Sequence, residues 1–196
     1  MKNQFYSGLV FALILTFLAS GISVSQAAMV DNGNSMIDTA TGLQWLDLTQ
    51  TQGLSWNQAE ASAFVTVDGY AHATEAQVIT LFLNAGFLTT NNVNNPANNP
   101  AANTLLSFLG CTQFCGTVNA TGRGFADWGG GWTTRPNYHT GGLGAGAATT
   151  SLLSNNLDLT DATAGHFLVQ PVPVPAAAWL FGSALGLLGW ARRKVR

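Results

Sequence analysis

The side chains best suited to metal or proton chemistry in this chain are three histidines, His72, His139 and His166. They lie far apart in the sequence, so a metal site would need three separate segments to converge. Scattered histidines are more often hydrogen-bonded or solvated than metal-bound. We therefore expect no metal site and no cofactor.

The acidic residues that could serve hydrolysis are Asp127, Asp158 and Asp161. A glycosidase needs two carboxyl groups in one cleft, with the pKa of one of them raised, and spacing alone cannot show that. Asp158 and Asp161 lie in a turn-like segment rich in Asn and Thr. The sequence also lacks the G-x-S-x-G, H-E-x-x-H and S-x-x-K motifs. We expect no enzyme, and the alternative is a secreted hydrolase that acts on matrix polysaccharide.

Cys111 and Cys115 form a C-x3-C pair. In an oxidising compartment, two cysteines at this short spacing favour a local disulfide. A redox role favours C-x-x-C near a βαβ pattern, and a zinc site would need more soft ligands. The sequence therefore predicts a structural disulfide.

Residues 122–146 combine many glycines with aromatic side chains, among them Trp128, Trp132 and Tyr138. Exposed aromatic rings in adaptable loops suit stacking on glycans or contact with other proteins, whereas buried rings would cover a small core. Both alternatives remain open from the sequence. These three residues are the candidate ligand-binding residues.

The charge of the central region restricts its partners. Residues 28–170 contain two arginines, no lysine and all nine acidic residues, a formal charge of −7. Binding to nucleic acid needs a basic surface, so we expect no nucleic-acid partner. The 143 residues suffice for one domain with one core.

The N-terminal residues 1–27 have the pattern of a secretory signal peptide. Lys2 precedes an apolar stretch, and Ser25 and Ala27 place small residues at positions −3 and −1 of a cleavage site. The apolar stretch is shorter than the ~20 residues that a membrane span requires. The sequence therefore predicts export.

The C-terminal tail combines three elements in a fixed order. Prolines alternate in residues 171–175, where Val172, Pro173, Val174 and Pro175 form an extended motif with few backbone donors. Residues 176–191 carry no charge and predict a short transmembrane helix. Residues 192–196 form a basic cytoplasmic tail, in which Arg192, Arg193 and Lys194 stop the anchor under the positive-inside rule.

This tail resembles the PEP-CTERM protein-sorting signal, with Val172-Pro173-Val174-Pro175 in the place of the commoner Val-Pro-Glu-Pro. The resemblance implies that a membrane enzyme of the exosortase type recognises the tail and removes the anchor. It also implies an intermediate anchored in the inner membrane of a Gram-negative bacterium, followed by transfer to the cell surface or the extracellular matrix. The implied partners are the exosortase, the membrane and, for the exported domain, exopolysaccharide or surface proteins.

Several local signals predict the elements of residues 28–170. A turn at Thr41-Gly42 joins two short strands into a hairpin. Ser55 to Gln58 and Thr74 to Gln77 are capping boxes that start helices, the first of about ten residues, and Gly86 ends the second helix. Pro100 opens a third helix that stops at Gly110.

The remaining segments complete the predicted fold. Residues 89–100 predict a loop, and strands are predicted at residues 147–154 and 165–170, with Phe167 and Val169 on the face opposite His166 and Leu168. The sequence thus predicts one small exported α+β domain. It would have short antiparallel strands, two to three short helices and long loops rich in Gly and Asn.

The domain itself resembles the ectodomain that recurs among PEP-CTERM proteins. The matching stretches are residues 38–47 (DTATGLQWLD), Gly69-Tyr70, Ala73-Thr74-Glu75 and residues 165–169 (GHFLV). A more distant similarity links the Thr41 to Trp45 stretch and the two capping-box helices to the Lcl C-terminal-type domain of unknown function. Ala71-His72 stands where such sequences usually have an Arg-aromatic pair, so no role of that Arg is carried over.

Overall fold

The computed structural model describes residues 28–91, 93–141, 144–148 and 153–172. The signal peptide, the sorting residues Pro173 to Pro175, the predicted transmembrane helix and the basic residues Arg192, Arg193 and Lys194 lie outside the described residues. Within the described part of the chain, no helix is both long and apolar enough to span a bilayer.

The described residues form an α+β fold with short strands and few helices, as predicted. The strands are β1 (Met29–Asp31), β2 (Ser35–Asp38), β3 (Leu43–Leu46), β4 (Ala71–His72), β5 (Thr121–Gly129), β6 (Trp132–Thr134), β7 (Asn137–His139), β8 (Gly146–Ala148), β9 (Leu153–Ser154), β10 (Gly165–His166) and β11 (Leu168–Pro171). The α-helices are α1 (Trp56–Glu60), α2 (Ala63–Thr66), α3 (Glu75–Asn84) and α4 (Asn99–Phe108). Leu48–Thr51 and Pro96–Asn98 are 3-10 helices.

The strands form two sheets. The first has the order β1-β2-β3-β11-β4, and all its pairings are antiparallel. The second has the order β8-β7-β5-β6-β9, and β10 adds to β5 in the parallel direction. Residues 165–171 therefore pair first with the second sheet and then with the first. The chain changes sheet at Phe167, whose N–H donates to Phe125 O and whose carbonyl accepts from Ala73 N.

The predicted capping boxes start both helices. The Ser55 hydroxyl accepts from Gln58 N, and the Gln58 side chain accepts from Ser55 N; Thr74 and Gln77 repeat the arrangement. Helix α1 stops at Glu60, sooner than predicted. The Ser62 hydroxyl donates to Ala59 O at 2.6 Å, and this local bond competes with continuation of the helix. A separate helix, α2, begins at Ala63.

The main core lies where α3 and α4 meet both sheets. Its largest rings are Trp45 from β3, Phe82 from α3, Tyr138 from β7 and Phe167. Phe82 makes edge contacts with Tyr138 and Phe167, with ring centroids 5.8 and 6.0 Å apart. Phe167 and Val169 face this core, whereas Leu168 packs with Leu46 and Tyr70 in a smaller cluster. The predicted separation of Phe167 and Val169 from Leu168 is confirmed, but residues 165–171 form two strands in different sheets and not the single strand predicted.

Residues 122–146 differ from the predicted loop-rich segment, because they hold all of β5 except Thr121, they contain β6 and β7, and β8 begins at their end. Two of its glycines occupy a strand where neighbouring side chains leave no space. A Cβ on Gly122 would lie 2.1 Å from the Tyr138 ring, and one on Gly124 would lie 2.8 Å from Leu48 and 2.9 Å from Phe167. These glycines allow bulky side chains to pack against a strand, which is why the composition is misleading as a loop signal.

Candidate functional sites

The disulfide predicted from the sequence is confirmed. Cys111 and Cys115 are bonded, with their Cα atoms 5.6 Å apart. The bond closes the loop that follows α4 and precedes β5. Gln113 pairs with Thr121 as an isolated bridge, so this loop also contacts the start of β5.

The three candidate ligand-binding aromatics occupy two different environments. Trp128 and Trp132 are 42% and 44% exposed, and they flank the turn that joins β5 to β6. Tyr138 is fully buried, and its hydroxyl lies within hydrogen-bond distance of Leu105 O and Gly110 O. Tyr138 is therefore a core residue that ties β7 to the end of α4, and it cannot contact a ligand at the surface.

The three acidic residues that could serve hydrolysis each bond to different partners. Asp127 accepts from Gly129 N at 2.7 Å, and Asp158 accepts from the Asn57 amide at 2.7 Å. Asp161 forms an ion pair with Arg135 and accepts two hydrogen bonds from Thr163. Burial raises the pKa of Asp161, but the Thr163 bonds and the neighbouring arginines outweigh it, so the pKa lies below its usual value. A general acid would need the opposite shift.

Two histidines are in contact, which was not predicted from the sequence. His72 in β4 and His166 in β10 are 94 residues apart, yet His72 Nε2 lies 2.9 Å from His166 Nδ1. The first sheet places His72 directly opposite Leu168, two residues beyond His166. Both histidines occupy short apolar stretches of the sequence. That pattern, together with the unusual Ala71-His72 pair, was the sequence signal that could have indicated their burial. His139 lies elsewhere and bonds to Asn94.

Helix α1 places two further side chains on His72. Trp56 and Glu60 are four residues apart, so they share one face of this helix. The Trp56 ring stacks on His72 with centroids 3.4 Å apart and an interplanar angle of 11°. Glu60 Oε1 lies 2.5 Å from His72 Nδ1. We call Glu60, His72 and His166 the histidine chain.

Hydrogen-bond geometry fixes the proton count of the histidine chain. His166 Nε2 is 3.1 Å from Leu54 O, and a carbonyl only accepts, so Nε2 carries a hydrogen. In neutral His166, Nδ1 then accepts from His72 Nε2. A 2.5 Å contact between His72 Nδ1 and Glu60 also requires a proton between them. The three side chains together are therefore neutral, with one proton shared by Glu60 and His72.

Two influences oppose each other at His72. Burial lowers its pKa to about 3, and the charge of Asp127 acts in the other direction. The 2.5 Å contact with Glu60 acts in the same direction as Asp127, because two lone pairs cannot approach this closely without a proton between them. Burial likewise lowers the pKa of His166 to about 4; the Leu54 bond and Glu60 oppose that shift, and His72 adds to it.

The two histidines of the histidine chain are shielded from solvent, and the last nitrogen of the chain bonds to a backbone carbonyl. Leu54 O ends it, Trp56 covers one face of His72, and the His72 side chain is only 3% exposed. Glu60 is the member in contact with solvent. Among the described residues no group of three or more His, Cys, Asp and Glu side chains is arranged to hold a metal ion. The histidine chain can hold and move a proton, and its side chains join α1 to both sheets.

Comparison of this chain with protein-family models, with curated proteins and with solved structures finds no match.

Proposed function

We propose that this protein is exported, sorted through its C-terminal tail, and retained at the cell surface or in the extracellular matrix. Its domain would act as a non-catalytic interaction module for exopolysaccharide or surface proteins. The observation that carries the binding role is the exposure of two tryptophans, Trp128 and Trp132, on one hairpin. Tryptophan is enriched at interfaces, where its ring supplies apolar area and its N–H supplies a hydrogen-bond donor.

The hairpin holds these rings away from the core. Gly129, Gly130 and Gly131 all have left-handed backbone, with φ of 97°, 64° and 80°, so they make a turn that other residues adopt with strain. The pairing of β5 with β6 shifts in register between Asp127 and Gly129, where Trp128 lies. Such bulges redirect a side chain from the regular alternation of a strand.

The sorting role rests on the order of proline motif, apolar stretch and basic residues in the sequence. The described fold is compatible with it, since β11 ends at Pro171 and Val172 N–H donates to Gly42 O at 2.9 Å. The proline motif therefore follows immediately after the last strand. An exosortase-type membrane enzyme is the proposed partner of this motif.

The binding role is tested by replacing the exposed tryptophans. Trp128→Ala and Trp132→Ala should each reduce co-sedimentation of the protein with exopolysaccharide from the producing strain, while the circular-dichroism spectrum stays unchanged. Val67→Ala is the matched control, because Val67 is an apolar side chain 78% exposed far from this hairpin in sequence. Unchanged co-sedimentation of both tryptophan variants, or loss of their folded spectrum, would contradict the assignment.

The sorting role is tested by mass spectrometry of the surface fraction. We expect a C-terminus near Pro173 to Pro175. Recovery only of a form that ends at Arg196 would show that the protein is a permanently anchored membrane protein.

A further inference from the structure

A groove of about 620 Å³ lies beside the disulfide loop. Its walls are the paired ends of β5 and β7, where Thr121 lies opposite His139, and the neighbouring loops. The lining residues are Asn94, Phe114, Asn119, Thr121, His139, Thr140 and Gly141. Among these lining residues, His139 is the one that can carry a charge. Burial lowers the pKa of His139, so its ring is neutral at neutral pH. The groove is therefore uncharged within a domain of net negative charge.

Phe114 presents its ring to solvent at an energetic cost. Its side chain is 60% exposed, and its φ of 54° lies in the left-handed region, which bulky residues rarely adopt. It lies inside the loop closed by Cys111 and Cys115. Its carbonyl accepts from Thr117 N at 3.2 Å and from the Thr117 hydroxyl at 2.7 Å. Backbone strain of this kind persists where surrounding bonds enforce it, and it is concentrated at functional sites.

The polar side of the groove has a defined arrangement of donors and acceptors. His139 Nε2 lies 3.0 Å from Asn94 Oδ1, which can only accept, so Nε2 donates and Nδ1 is left as an acceptor. The Asn94 NH2 group supplies donors. Gly146 leaves room for this pair, because a Cβ there would lie 2.9 Å from both Asn94 Oδ1 and His139 Cε1. Thr140 and Asn119 add a hydroxyl and a second amide.

We propose that this groove is a binding site for a neutral oligosaccharide. The Phe114 ring would stack on the apolar face of a sugar ring, and the Asn94, Asn119 and His139 side chains would bond its hydroxyls. An acidic sugar would meet no cation among the described residues that line the groove, and it would meet a net negative domain around it. This inference rests on the proposed glycan-binding function, but it places the contact at a different site from Trp128 and Trp132.

Binding is measured by isothermal titration of the full-length protein with four probes. Cellohexaose, laminarihexaose and maltohexaose are neutral, and hexagalacturonate is the charged comparator. We expect at least one neutral hexamer to bind, at least tenfold more tightly than hexagalacturonate. Phe114→Gly should weaken that binding at least tenfold, and the left-handed backbone at this position suits glycine, so the variant should remain folded. Asn119→Ala should weaken it in the same direction.

The outcomes separate this site from the hairpin. Loss of binding in Phe114→Gly and Asn119→Ala, with binding unchanged in Trp128→Ala and Trp132→Ala, supports the groove. Loss only in the tryptophan variants overturns the groove and supports the proposed function. A preference for hexagalacturonate, or binding of none of the neutral hexamers, also overturns the groove, whereas the co-sedimentation assay still tests the proposed function.

Discussion

Acid should destabilise this protein through His166. In the folded protein the neutral ring is satisfied at both nitrogens, since Nε2 donates to Leu54 O and Nδ1 accepts from His72. A second proton on His166 would sit on Nδ1 and face the N–H of His72 across 2.9 Å. The buried ring is therefore held neutral, and its pKa falls to about 4 because burial outweighs the opposing Leu54 bond and Glu60.

The direction of the pH effect follows from the two pKa values of His166. The pKa is about 4 in the folded protein and has its ordinary value of 6.5 in the unfolded chain. Below pH 6.5 the unfolded chain binds a proton at His166, whereas the folded protein does not bind it until the pH approaches 4. The contribution of neutral His166 to the free energy of unfolding is therefore complete above pH 6.5, and it is lost as the pH falls from 6.5 towards 4.

The size of the effect follows from the same shift. Between pH 7 and pH 5, linkage gives a loss of about 2 kcal/mol from this one group, at ~1.4 kcal/mol for each pH unit over which only the unfolded chain is protonated. The groups that face His166 are His72 from β4, Glu60 from α1 and, through His72, Asp127 from β5. His72 is present in both the wild type and His166→Gln, so the difference between the two proteins isolates the share of His166.

The assay is the free energy of urea unfolding of the full-length protein at pH 7, 6 and 5. His166→Gln removes the titrating ring, so it should lose about 2 kcal/mol less than the wild type over this interval, although it is less stable at pH 7. His139→Gln is the control, since His139 lies outside the histidine chain and its ring bonds to Asn94. If His166→Gln and the wild type lose the same free energy between pH 7 and pH 5, the proposed protonation of the histidine chain is wrong.

Three further variants test the packing and the disulfide loop. Gly122→Ala should destabilise the protein by about 3 kcal/mol or more, measured by urea unfolding, because its Cβ would lie 2.1 Å from the Tyr138 ring; a change below 1 kcal/mol would show that the ring can move aside. Replacing Cys111 and Cys115 by Ser should cost about 2 kcal/mol, the entropy of a five-residue loop in the unfolded chain, and alkylation of the wild type without reduction should label neither cysteine. Phe114→Gly should be neutral or stabilising by up to about 1 kcal/mol in thermal unfolding, since it relieves the left-handed backbone; clear destabilisation would show that the ring packs structurally.

The helices were predictable because their signals are local. A capping box acts within four residues, so the starts of the helices at Ser55 and Thr74 can be recognised from the local sequence. Gly86, with φ of 102°, ends α3 as expected. The prediction was wrong about the length of the first helix, where the choice between continuing past Ser62 and starting again depends on a single competing hydroxyl bond.

The strands of residues 122–146 were not predictable from composition, because the reason for their glycines lies elsewhere in the chain. Gly122 makes space for Tyr138, which lies 16 residues later, and Gly124 makes space for Leu48 and Phe167. The same long-range dependence hid the histidine chain. Only the pairing of β11 with β4 and of β10 with β5 brings His72 and His166 together.

The last two strands determine where the tail can be cut without damage to the folded domain. β10 adds to β5 of the second sheet, Phe167 enters the core, and β11 takes an internal position between β3 and β4. A cut before Phe167 would therefore remove a strand from the middle of the first sheet and a ring from the core. A cut within Pro173 to Pro175, as we propose, leaves every strand of the described fold in the product, because β11 ends at Pro171. The released domain should therefore keep the stability of the anchored one, and an exosortase-type enzyme could act on it after it has folded.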